Sequence, residues 1–346
     1  MRRTTTRTLA VATTLLTTAV LAGCAEELPM AKPEAPVAAA VVTLSQKDKI
    51  RDKVSKVVQE ADKASEADTL EARLSGPALS IREAELKVSA ARGNSDVQTN
   101  LSMEEIQQAI LPSDQDWPRT SYAITAQPTD QTTPLLMAFD QAAARDPYKL
   151  WGWVYLLPGT TMPQFAPPEL GSSAVAADDK SLKMAPKTAI EQYASVLTVD
   201  ARSKYADNFS DDDLRVRFRE DGKRQVEAIN VEECDGKYEV EYEPTKDPVK
   251  SVRTADGGAI VMAAMISQET VTAKVEECKV GPSTDSARAL WEAKGWTLKD
   301  DGDDDRTNTV EVNYGDMVAL YVPPKDSDDR VSLVGYVRVP TSVSNG

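Results

Sequence analysis

Two cysteines far apart in this chain, Cys234 and Cys278, are each preceded by Val-Glu-Glu, and a turn signal, Asp256-Gly257-Gly258, lies between them with strand-like runs on either side. Two points that must meet restrict a fold more than any propensity does. A tight turn at Asp256-Gly257 pairs residues whose numbers sum to about 513, and the cysteine numbers sum to 512. The two thiols therefore nearly face each other across the expected hairpin. The loop from Pro244 to Pro248 interrupts the ladder, so the arithmetic shows compatibility and not register. A reactive redox pair would want Cys-X-X-Cys spacing to depress a thiol pKa, and that spacing is absent. Whether the thiols join is a matter of compartment.

The N-terminus supplies one. Arg2, Arg3 and Arg7 precede an uncharged, apolar and Thr-rich run from Leu9 to Val20, which is the order of a signal peptide's basic and hydrophobic regions. Leu21-Ala22-Gly23-Cys24 follows and resembles the lipobox of bacterial lipoproteins. That resemblance implies cleavage before Cys24 and diacylglycerol on its thiol, with the protein held on the extracytoplasmic face of the cell membrane. Two acyl chains suffice for stable anchoring where one does not. A plain secretory signal with a chance cysteine is one alternative. An uncleaved membrane helix is another, and the apolar run is short of the roughly 20 residues a span needs. In an oxidising exterior Cys234 and Cys278 are expected to be bonded, which stabilises a loop of this size by roughly 4 kcal/mol on the chain-entropy model.

With 346 residues in all, and about 320 after processing, the chain has the length of two domains. Its 41% hydrophobic and 27% charged residues are ordinary for a globular protein, and a net charge of −15 argues against nucleic acid as a partner. There is no histidine. A Ser-His-Asp or Cys-His site within the chain is thereby excluded. No GxSxG, phosphate-binding Gly-Lys-Ser/Thr loop, dinucleotide fingerprint or zinc-spaced cysteine cluster occurs, so neither a cofactor nor a metal is expected.

The pattern along the chain divides it into a signal peptide (1–23), a lipidated, Ala/Pro-rich tether (24–43), an N-terminal domain (44–160), a linker (161–186) and a C-terminal domain (187–346). At about 3.1 Å per extended residue the tether lifts the folded part roughly 50 Å from the bilayer. Ser45 with Asp48 reads as a helix start, and Ile50, Val54, Val57, Val58 and Ala61 follow at helical spacing. The run from Ala78 to Ala91 is ambiguous between strand and helix, and Met103 to Leu111 reads as a short helix. Strands are expected at 121–126, 134–139 and 150–157. A helical region near Ala189–Leu197 and a second, capped at Ser210-Asp211-Asp212-Asp213, open the other half. Strands at 238–243, 249–253, 259–273, 309–322 and 331–339 close it. The fold class is α+β: two domains, each with helices packed on a curved antiparallel sheet, nuclear transport factor 2-like or cystatin-like by analogy of element order.

Gly76-Pro77-Ala78, Asp116-Trp117-Pro118-Arg119, Tyr148-Lys149-Leu150-Trp151-Gly152-Trp153, Leu157-Pro158-Gly159 and Arg253-Thr254-Ala255-Asp256-Gly257-Gly258 together give the mature chain a second resemblance. It is similar to an uncharacterised family of actinobacterial envelope proteins, known as a domain of unknown function. The resemblance spans both expected domains, and none of its motifs is catalytic.

Three candidate sites remain. Trp151, Trp153 and Tyr155 share one parity of a strand with Tyr148 nearby, so they form either a core cluster or the wall of an apolar ligand pocket. Asp116 and Asp140 lie close by in sequence as acids for an enzymatic reading. Asp300, Asp301, Asp303, Asp304 and Asp305 invite calcium, but an EF-hand turn at Gly302 would put Thr297, Lys299 and Asn308 where ligands are needed, and a solvated loop fits better. The functional expectation is a membrane-anchored, non-enzymatic binding module for an envelope component or partner protein. The alternative is an envelope enzyme or carrier of a small apolar ligand, using a cavity in one domain.

Overall fold

The structure is a computed structural model, and it describes residues 39–101, 103–127, 133–231, 233–298 and 305–346. Cys24, the signal peptide and all but the end of the tether lie outside the described residues, as do Asp300, Asp301, Asp303 and Asp304.

Helix α1 (Leu44–Ala64) starts from Thr43, whose hydroxyl accepts from the Gln46 amide while the Gln46 side chain accepts from the Thr43 amide. The reciprocal cap thus sits two residues ahead of Ser45, where the helix start was expected. Val54, Val58 and Ala61 are buried at helical spacing. The ambiguous run is helix α2 (Gly76–Arg92), which buries Ile81, Leu86 and Val88 as well as Arg82 and Glu85. A helix covered on most sides loses the polar face that would have revealed its period.

Strands β1 (Ile106–Ile110), β2 (Arg119–Thr125), β3 (Leu135–Gln141) and β4 (Lys149–Leu156) form an antiparallel meander. β1 corrects the helix expected over Met103–Leu111. Met103 takes φ 54 and turns the chain, and the open edge of β2 then supplies the backbone partners that a short isolated helix would have lacked.

The second half contributes α3 (Pro186–Val199), α4 (Asp213–Asn230), β5 (Gly236–Pro244), β6 (Lys250–Arg253), β7 (Ala259–Ala273), α5 (Asp285–Glu292), β8 (Thr309–Val322) and β9 (Ser332–Ser344). All nine strands join in one sheet, ordered β1-β2-β3-β4-β9-β8-β7-β5, with β6 on the same edge of β7 as β5. The two halves, expected as separate domains with a sheet each, therefore share a single antiparallel sheet. The junction is β4 against β9, with Leu156 opposite Gly335. A Cβ at Gly335 would lie 2.5 Å from the Tyr155 carbonyl oxygen, so only glycine lets the two backbones approach. The segment 161–186 is strapped to its neighbours and is no free linker: the Ser172, Val175 and Lys183 amides donate to the carbonyls of Leu111, Ser251 and Pro323. Alternation marks which face of a strand is buried, but it does not name the strand's neighbour.

Parity along β7 shows how the layers stack. Ile260, Met262 and Ala264 pack with the α1 and α2 core, whereas Ala259, Val261, Ala263 and Met265 pack with α3 and α4. Helices thus cover both faces of the central strands, which explains their nearly continuous apolar runs. Cys234 and Cys278 are disulfide-bonded with Cα atoms 5.8 Å apart. Near the turn the ladder keeps the expected register, with Arg253 opposite Ala259. Beyond it, residues 245–249 bulge against 263–264, and Gly236 faces Ala273, three residues off. The cysteines meet nonetheless because both lie past the strand ends, where the Lys274 amide donates to the Cys234 carbonyl.

Candidate functional site

Three neighbouring long strands place polar side chains where their alternation calls for core: Ser267 and Glu269 on β7, Tyr314 and Asp316 on β8, and Arg338 on β9, directly opposite Asp316. The Arg338 guanidinium lies 2.8 Å from Glu269 and 3.2 Å from Asp316. Its central carbon stacks 3.3 Å from the Tyr314 ring centre and 5.1 Å from that of Phe218 on α4. Ser267 donates to Asp316 at 2.7 Å, Tyr242 donates to it at 3.4 Å, and Tyr314 donates to Glu269 at 3.3 Å. Burial pushes the Asp316 carboxyl up to about 6, with Arg338 and then the Ser267 and Tyr242 hydrogen bonds pulling it back.

This cluster floors an open cleft of 720 Å³. Helix α4 forms one wall with Leu214, Arg217, Phe218, Asp221 and Arg224, residues three and four apart that share a helical face. Asp212 caps that helix by accepting from the Arg215 amide at 2.9 Å. Gly222 seats it on the sheet, since a Cβ there would lie 2.5 Å from the Tyr238 ring. The other wall is the entry to α5, with Ser283, Thr284 and Ser286, and Tyr336 and Pro340 of β9 complete the lining. Asp221 receives both Arg217, at 3.4 Å, and Arg224, and Arg217 also donates to the Tyr336 hydroxyl at 3.4 Å. The disulfide ties down the segment that leads into α5, because Cys278 precedes Val280, whose amide donates to the Thr307 carbonyl.

The aromatic residues singled out in the sequence lie elsewhere. Trp151 and Trp153 are buried and Tyr155 is half-buried in the α1 and α2 core. Trp153 and Tyr155 both donate to the Thr99 hydroxyl, at 3.2 and 3.0 Å. Gly152 between the tryptophans leaves room for Met317, and Gly76, at φ 52, lies beneath the Trp151 indole. Asp140 is held by Lys250 at 2.6 Å and Thr120 at 2.8 Å, and Asp116 lies in the loop before β2. Asp305, the described member of the acidic run, accepts from Thr297. Among the described residues no group of three or more acids or cysteines is placed to hold a metal, and no helix is long and apolar enough to cross a membrane.

A family model covers residues 38–344, which takes in every strand and helix of the sheet and the whole lining of the cleft. The chain belongs to the DUF8094 family, a domain of unknown function. The DUF8094 match agrees with the resemblance to an uncharacterised domain. No curated protein and no solved structure matches the chain. Sequence reading missed Arg217, Glu269, Tyr314, Asp316 and Arg338. A signal was present, because charges in the middle of long apolar strands, on the parity that faces the helices, mark either an internal ion pair or the floor of a site.

Proposed function

We propose that this DUF8094 protein is a lipid-anchored, extracytoplasmic binding protein that holds an envelope component in the cleft between α4, α5 and strands β7–β9. The observation that carries the reading is the cleft itself: 720 Å³ is in the range of pockets that hold small ligands. Three of its lining residues are arginines, in a chain of net charge −15. Signal-peptide features, the lipobox resemblance and the disulfide support the location. A reading as an enzyme would look to Asp316, whose carboxyl is poised near neutrality. That carboxyl is only 4% exposed and occupied by Arg338, Ser267 and Tyr242, so it does not reach a ligand in the cleft. Binding without chemistry fits better.

The test is to isolate the full chain from membranes in mild detergent and identify by mass spectrometry what accompanies it. Ala228 lines the cleft and is exposed, so Ala228→Trp fills the space without disturbing the core. The wild type should carry a component that the variant lacks, and equal recovery from both would contradict the cleft's role. In the same preparations Cys24→Ala should release the protein from membranes or block its processing. A variant still bound and still cut at the same place would overturn the anchor.

A further inference from the structure

Charge is distributed unevenly within the cleft. On the floor, one cation, Arg338, is answered by two carboxylates, Glu269 and Asp316, so no positive charge is left over for a ligand. On the α4 wall the balance reverses, because Arg217 and Arg224 converge on the single carboxylate of Asp221. Their side chains are 63% and 73% exposed, so they can turn toward an incoming group. An anion is therefore repelled from the floor and drawn to the wall. Beside these poles the lining offers the hydroxyls of Ser283, Thr284, Ser286 and Tyr336, with the Tyr336 ring and Pro340 as flat apolar surface. Donors and acceptors spaced along a partly apolar trough suit a ring that carries many hydroxyls. The volume of 720 Å³ also exceeds what a bare inorganic anion would fill.

From this arrangement we propose that the cleft recognises a sugar-like, hydroxyl-rich ring bearing one phosphate or carboxylate, with the anion on Arg217 and Arg224 and the ring between Tyr336 and the Ser283–Ser286 hydroxyls. The assignment rests on the binding reading above and names its ligand class. Arginine forks match both anions in geometry, and the excess charge on the wall sets the orientation.

The test is calorimetry on the detergent-solubilised full chain with glucose 1-phosphate, glucuronate, glucose and inorganic phosphate. Glucose 1-phosphate and glucuronate should bind at least about tenfold tighter than glucose or inorganic phosphate, the factor that one charge-assisted contact supplies. The double variant Arg217→Gln/Arg224→Gln should bind glucose 1-phosphate no tighter than glucose, at an unchanged unfolding midpoint. Octyl glucoside 6-phosphate beside glucose 6-phosphate distinguishes a lipid head group from a free sugar: affinity of the glycoside at least equal to that of glucose 6-phosphate assigns the head group, and a tenfold loss assigns the free sugar. Glucose binding as tightly as its phosphate, inorganic phosphate binding as tightly as either, or a preference that survives the double variant would overturn the assignment. If none of the four probes binds while Ala228→Trp still strips a co-purifying component, the ligand class falls and the binding reading stands.

Discussion

Two arginines, one buried and one half-buried, brace the two halves of this sheet, and they differ in what lies beside them. Arg82 of α2, 1% exposed, is held between Asp62 and Glu85 and also donates to the Thr99 carbonyl at 2.9 Å. Glu85 in turn accepts from the Thr99 amide and hydroxyl, and that hydroxyl receives Trp153 and Tyr155. The network is closed by protein except at Asp62. Arg338, 14% exposed, has two carboxylates as well, but one side of its cluster opens on the cleft. Similar chemistry thus serves two ends. A closed cluster ties α1, α2 and β4 together, whereas an open one presents a polar floor to whatever enters.

The largest effect that separates them is expected from Arg82→Met. Removing the cation leaves Glu85 uncompensated where water does not reach, which costs about 3–5 kcal/mol, read as a lowered denaturant midpoint. Affinity of the folded protein for the cleft ligand should not change, and a loss of binding at native stability would erase the distinction. Next comes Cys234→Ser/Cys278→Ser. With the cysteines 44 positions apart in the sequence, the loss is about 2–4 kcal/mol. Cleft affinity should fall with it, since the freed segment leads into α5, and intact affinity would detach the disulfide from the site.

Arg338→Met should cost less, about 1–3 kcal/mol, because Glu269 borders the cleft, where water can take the place of the lost cation. Binding should weaken as well, because the floor's carboxylates lose the cation that answers them and repel an anion in the cleft more strongly. A cost equal to that of Arg82→Met would show the open cluster to be a brace of the same kind. The effect confined to the narrowest range of conditions is in pH. Asp316 titrates near 6 in the folded protein and near 4 in an unfolded chain, so between those values the native state holds the extra proton. By linkage, its contribution lowers stability as pH rises from about 4 to about 6, by about 3 kcal/mol at most, and then levels off. Asp316→Asn should remove that component from urea midpoints measured across the window, and identical slopes in both proteins would contradict the assignment.

Much of this architecture is legible in the residues. The apolar runs of β7 and β8 match the strands end to end, Asp212 caps α4 within the acidic run that signals it, and the paired Val-Glu-Glu-Cys motifs mark a disulfide. Other features depend on contacts that a linear pattern does not carry. β1 is a strand because β2 offers an edge. The two halves share a sheet because β9, the last strand, returns beside β4 at Gly335. The segment 285–292 gives a single short helix whose burial of Leu290 and Trp291 arises from neighbours distant in sequence. The cleft is the least legible part, since its residues come from α4, β7, the α5 entry, β8 and β9. The conspicuous aromatics of β4 drew the eye to a core.

Site-specific photocrosslinking in growing cells tests most directly that the cleft above the open cluster, and not the region of the closed one, is the recognition site. A photoreactive residue replaces Gln225 in the cleft wall or, in a parallel strain, exposed Gln59 on α1. The prediction is a discrete adduct from position 225 that disappears when Arg338→Met is added, with none from position 59. An adduct of equal yield from both positions, or one at 225 that survives Arg338→Met, would contradict it.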